Sequence, residues 1–222
     1  MAVNLTNVLA TLITANHILS YHSILDAYGH VSSRNPANAS TFYLSRQLAP
    51  ALVSSASDIV EYEVANGPAG TTGSAPVWDI ATARLSSDTP TLLVNNQRFG
   101  ASLAASFGPT NTDLPPHDVV LMRGHGMAVV GASVIDAVFR AIYAVIAARE
   151  GVAALTLAGL GGPDGQPQLG GDGTIRYLSE EEKVAGGGGL LGYEGRGWEL
   201  WVREVQAVAS GALYRNEVGS PL

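Results

Sequence analysis

Apolar positions along the chain recur in short, distinct patterns. Leu5, Val8, Leu9, Leu12 and Ile13, continued by Ile24 and Leu25, repeat at helical spacing. They predict a first helix capped by Asn4 or Thr6 and closed by Gly29, after which Pro36 pushes its predecessor into extended backbone. Thr41 to Leu44 reads as a strand, and Ile59 to Val64 alternates as a half-buried strand ending at Asn66-Gly67. Gly67 to Pro76 has the small, polar composition of a loop or flexible bridge. Thr89-Pro90 supplies a cap and first position for a helix whose buried side is Leu92, Leu93, Phe99, Leu103 and Phe107, with Gly108 closing it.

Val119 to Met122 and Met127 to Val130 are short apolar runs around Arg123-Gly124-His125-Gly126, a hairpin whose glycines permit positive φ and whose tip presents Arg123 and His125. Ser133 and Asp136 form a capping signal for a buried helix carrying Ile135, Val138, Phe139, Ile142, Val145 and Ile146 up to Gly159. From about residue 160 glycine and proline dominate, predicting a mobile connection. Ser179 and Glu182 make a capping box for a further helix that Gly186 to Gly189 interrupts. Trp198, Leu200, Trp201 and Val205 give apolar bulk to a last helix, serving the core or a subunit interface.

This length suits one domain, residues 1–222, with its own core and a glycine-rich C-terminal region. A net charge of −7 argues against a phosphate-backbone binder, so nucleic acid is not an expected partner. There is no cysteine, hence no disulfide framework and no thiolate metal site, which points to the cytoplasm. Neither a signal peptide nor a run of about twenty apolar residues is present, so no membrane association is expected.

The histidines do not make a metal site by spacing. His17 and His22 point about 140° apart on a helix and read as structural or surface residues. His117 reads as a surface-loop residue, and no two histidines stand at x or x-x-x spacing. Convergence of His125 with His30 or His117 and a carboxylate such as Asp79 would be needed. Ser45-Arg46 after the strand offers a hydroxyl and a planar guanidinium suited to an anion. The stretch His30-Val31-Ser32-Ser33-Arg34 has the composition of an ordinary turn.

The segments LDAYGHVSSRNP (25–36), FYLSRQLAP (42–50), DIVEYEVANG (58–67), LMRGHG with its VVG turn and AVFRAIY helix, YLSEEE (177–182) and WELWVREV (198–205) together resemble the class II aldolase/adducin family, in its lyase and decarboxylase-like branch. That resemblance implies an α/β fold, a three-layer α/β/α sandwich around a mostly antiparallel sheet, and a homo-oligomer, typically a cyclic tetramer with sites at subunit boundaries. It implies a divalent metal, Zn or Mn, with His125 as one of three imidazole ligands and as the catalytic residue. Substrate contacts carried over are His30, Ser32, Arg34, Ser45 and Arg46, and Arg123 is expected to join Arg46 in binding a carboxylate, for a small anionic molecule. Between Gly67 and Val77, however, the family's acidic residue and His-x-His pair have no counterpart; GPAGTTGSAP stands there. The sheet is therefore expected to be reduced and the metal site impaired. The implied activity is carbon–carbon cleavage or decarboxylation of a small carboxylated or phosphorylated carbonyl or hydroxyaromatic compound. The alternative is a non-catalytic, adducin-like binding or assembly module.

Overall fold

A computed structural model describes residues 4–63, 75–109, 115–159, 194–208 and 214–221, with 179, 181, 182 and 185. Helix α1, Leu5–Tyr21, starts at Asn4, whose side chain accepts the Thr6 amide at 3.0 Å. It stops well before Gly29. Ser23 takes a left-handed φ of 58°, and the amides of Ile24 and Leu25 turn back to the Leu19 carbonyl. Short polar residues there compete with the helix for backbone groups, and Asp26 goes on to accept the Tyr28 and Gly29 amides. Ile24 and Leu25 still pack on the core without being helical.

Two three-stranded sheets stand where one reduced sheet was expected. The first runs β1 (Ser32–Arg34), β2 (Thr41–Ser45), β3 (Ile59–Glu63), antiparallel throughout, with Ser32 opposite Leu44 and Ser45 opposite Ile59. The second runs β4 (Val77–Trp78), β5 (Val119–Met122), β6 (Gly126–Val129), where β4 is parallel to β5 and β5 antiparallel to β6. The result is a mixed α/β fold with mostly antiparallel pairing.

Two apolar clusters hold these pieces. One joins α1 to Val31 and Tyr43 of the first sheet region and to helices α3 (Val134–Gly159) and α4 (Glu194–Val208). The other lies under the second sheet, where Trp78, Val120 and Met122 meet Ile80, Phe99 and Phe107. Side-chain alternation decides which: Val120, Met122, Ala128 and Val130 join the second cluster, while Met127 and Val129 pack against the first. The hairpin is thereby gripped from both faces, which fixes its tip.

The second helix, α2, is Gln97–Ala105 and begins seven residues later than the Thr89-Pro90 signal predicts. Asn96 is the cap in use, its side chain accepting the Phe99 amide at 3.0 Å, and Leu92 and Leu93 stay exposed in the preceding loop. Helix α3 uses the expected cap, the Asp136 amide donating to Ser133 Oγ at 3.1 Å. Its burial stops early: Val138, Ala141 and Ile142 are core, but Tyr143, Ile146, Val152 and Leu155 are exposed. In α4 the question of core or interface is decided for the aromatics, since Trp198 and Trp201 are buried.

His17 and His22 are structural, as expected. His17 is buried and donates Nε2–H to the Val53 carbonyl at 2.8 Å, with its ring edge-on to Tyr214. Half-buried His22 lies 3.2 Å from a Glu204 oxygen, a contact without hydrogen-bond geometry, between the rings of Tyr21 and Trp201. The Ser179–Glu182 capping box forms, with the Ser179 amide 2.7 Å from Glu182 Oε2. The expectations for Gly67 to Ser74, the Gly/Pro connection after 160 and Gly186 to Gly189 fall outside the described residues. Among the described residues, no helix is long and apolar enough to cross a membrane.

Candidate functional site

The β5–β6 hairpin closes where Met122 pairs with Gly126, leaving Arg123-Gly124-His125 as a three-residue tip. Gly124 at φ +69° and Gly126 at φ +148° occupy backbone regions that side chains disfavour, so both glycines are required by the turn itself. The His125 amide returns to the Met122 carbonyl, and the Arg123 amide donates to the Trp78 carbonyl, extending the parallel pairing with β4 to the tip.

That pairing brings Asp79 beside Arg123. The Arg123 Nε–H donates to Asp79 Oδ2 at 2.6 Å, while Asp79 Oδ1 accepts the Ala81 amide at 2.8 Å and so caps the short 3-10 turn Ile80–Ala83. The Arg123 hydrogen bond, then the Ala81 amide, hold the Asp79 carboxyl below its ordinary range; Asp79 in turn raises Arg123. The pair is too solvated to add much stability; it orients the arginine. With Nε engaged, the two Nη groups meet no acceptor among the described residues, and they form the edge of a guanidinium that pairs with a carboxylate. Two residues on, His125 is exposed, with no side-chain hydrogen bond among the described residues.

The other expected contacts gather around the first sheet. Arg46 donates from Nη2 to Asp58 Oδ1 at 2.7 Å. Asp58 is buried and also receives the Ser54 and Ser55 amides at 3.1 and 3.0 Å and the Ser55 hydroxyl at 3.0 Å. Burial pushes its carboxyl up, but the two amides, Arg46 and the Ser55 hydroxyl outweigh that and hold it well below the usual carboxylate range. Arg46 therefore already serves an internal acid, with the rest of its guanidinium at the surface. Ser45 is buried beside it, and an open depression of about 490 Å³ is lined by Arg46, Gln47, Leu48 and Tyr62. Arg34 staples its own hairpin turn through the Ala39 carbonyl at 2.9 Å, and His30 and Ser32 are exposed.

Arg123 and His125 are thus brought together by one turn, and Ser45 and Arg46 by the end of β2. His117, expected at the surface, is buried, and its amide donates to the Phe107 carbonyl. Sequence reasoning missed Asp58, although Ser55 three residues ahead of it has capping-box spacing. It considered Asp79 only as a metal ligand, because a pairing across 44 residues has no local signal.

Among the described residues the donor set does not fit the divalent metal that the resemblance implies. Among the described residues no three His, Asp or Glu side chains converge, and Asp79 is engaged by Arg123 and an amide rather than directed at His125.

Comparison with known proteins supplies the ancestry. The family described as "Class II Aldolase and Adducin N-terminal domain" matches residues 79–151, the stretch from Asp79 through the hairpin into α3. Decarboxylase tropJ of Talaromyces stipitatus is 34% identical over 262 residues, covering 93% of this chain and 96% of that protein. As 93% of 222 residues is about 206, about 56 of those 262 aligned positions have no residue here.

Proposed function

The chain belongs to the class II aldolase and adducin family, and from that membership we propose a carbon–carbon lyase of the decarboxylating kind, acting on a small carboxylated carbonyl or hydroxyaromatic compound. The observation that carries the reading is the hairpin tip: an arginine fixed through Nε by Asp79, its Nη edge directed at no internal acceptor among the described residues, two residues from a solvent-accessible imidazole. In this account Arg123 holds the substrate's anionic oxygens by a charge-assisted, two-point contact. The bond between the carboxyl carbon and its neighbour breaks, CO2 leaves, and the electron pair left behind takes a proton from the His125 imidazolium. That the similar protein of Talaromyces stipitatus is a decarboxylase supports decarboxylation over aldol cleavage.

The metal site is impaired in this proposal, with His125 the surviving member of the expected ligand set. We read residues 1–222 as one domain of a cytoplasmic homo-oligomer, its oligomeric state open to sedimentation analysis. A second reading, a non-catalytic binding or assembly module, is favoured by the lack of converging metal ligands among the described residues. Metal analysis and turnover separate the readings. CO2 release by protein that is metal-free and indifferent to chelators supports the proposal. Stoichiometric Zn or Mn overturns its metal clause, and a protein that binds small acids without converting any of them is the module.

A further inference from the structure

The residues flanking the hairpin tip also bear on substrate choice. Between the 3-10 turn after Asp79 and helix α2 lies a loop braced by three polar ties. Arg84 donates to the Thr91 carbonyl, Arg98 donates to the Ala83 carbonyl, and Arg98 Nη2 lies 2.6 Å from Asp88 Oδ2. Asp88 also accepts the Leu85 amide at 2.7 Å, and Thr91 Oγ1 accepts the Leu93 amide at 3.1 Å. So held, the loop carries three consecutive apolar side chains outward: Leu92, Leu93 and Val94 are 42, 61 and 38% exposed. Leu92 lies over the tip itself, its Cδ1 3.9 Å from where a Cβ on Gly124 would sit, between Arg123 and His125.

Adjacent exposed apolar side chains on a braced loop are costly to leave in water and have no described cover. The cations nearby are already committed: Arg84 and Arg98 bond within the loop, and the chain's single lysine, Lys183, lies outside the described residues. Among the described residues, what remains beside the wall is one guanidinium edge with the exposed His125 ring next to it, which matches a single carboxylate.

We propose that Leu92, Leu93 and Val94 form the apolar wall of the Arg123–His125 site and select substrates whose carboxylate is carried on a flat, largely apolar ring. This rests on the reading that the tip binds a small acid, and it narrows that reading to aromatic acids over phosphorylated or short aliphatic ones.

The test is calorimetric titration of the full chain with 2,4-dihydroxybenzoate and with pyruvate, two acids that differ in the ring. The parent binds the ring acid at least about tenfold more tightly; Leu92→Ser/Leu93→Ser weakens the ring acid far more than pyruvate and so removes that preference. Leu93→Ser alone, at the most exposed of the three positions, gives the same answer in smaller measure should the double variant lose its melting transition. A parent without ring preference, or leucine variants that keep it, overturns the wall. Arg123→Gln tests the underlying reading separately: it weakens both acids if the tip binds carboxylates, and unchanged binding of both overturns the acid site whatever the leucine variants do.

Discussion

Removing the Asp58 carboxylate separates its structural role from that of its partner arginine. In Asp58→Ala the Ser54 and Ser55 amides and the Ser55 hydroxyl lose a buried, charged acceptor, all three bonds lying between 3.0 and 3.1 Å. Bonds to a charged group contribute about 1.5–3 kcal/mol each in isolation, but the serine groups regain water in a partly opened turn, so about 3 kcal/mol is expected in total. Arg46→Ala removes one ion pair whose guanidinium side chain is 56% exposed, and costs less than about 1 kcal/mol. Urea unfolding at pH 7 measures both, and the larger loss corresponds to roughly 6–12 °C in melting temperature for a chain of this size. The sign with pH follows from the lowered carboxyl. Its stabilisation is fully present above the unfolded carboxylate value, near pH 4, and is lost as pH falls toward the folded value. Asp58→Asn should lack that acid-limb loss. Equal destabilisation by the two alanine variants, or a loss under about 1 kcal/mol for Asp58→Ala, refutes the assignment of Asp58 as the organiser and Arg46 as its accessory.

His17 gives a second pH dependence. Burial, the largest influence, lowers its pKa despite carbonyl contacts at Val53 and Arg215, so the unfolded chain binds the proton more readily and stability falls as pH drops through about 6.5. His17→Gln should flatten that slope between pH 7 and 5 in urea midpoints. Gly131→Ala would place a Cβ 2.5 Å from the Ala137 amide nitrogen and 2.9 Å from Asp136 Oδ2, at the start of α3; a loss of at least about 1–3 kcal/mol by thermal melting is expected. Trp198→Ala, at 2% exposure, should cost about 3–5 kcal/mol, whereas Leu200→Ala on the exposed side of the same helix should stay within about 0.5 kcal/mol.

What the sequence disclosed was what short range determines. The hairpin around Arg123 and His125, its two glycines, the Ser133 cap and the strands expected from Thr41 and from Ile59 all rest on neighbours within a few residues, and all are present, the strands as Thr41–Ser45 and Ile59–Glu63. Helix ends were less legible, because competing caps are decided by context. Ser23 turns left-handed before Gly29 is reached, and Asn96 replaces Thr89 once the intervening loop is braced by Arg84 and Arg98. Least legible were the partners of the arginines. Nothing local announces that Arg123 meets Asp79, 44 residues away, or that Arg46 turns to Asp58, so a guanidinium suited to a ligand could not be told from one serving an internal acid. The apolar face of α3 likewise continued past its cover, since periodicity records which residues are hydrophobic and not where the packing partner stops.

Acid-catalysed loss of CO2 at the hairpin tip can be read from the CO2 evolved from a panel of hydroxyaromatic and 2-oxo acids by the full-length protein and by His125→Ala side by side. The parent should release CO2 from at least one aromatic acid, with the rate falling by about 100-fold or more in the variant. Equal rates from the two proteins, or no release by the parent from any acid in the panel, would contradict that chemistry.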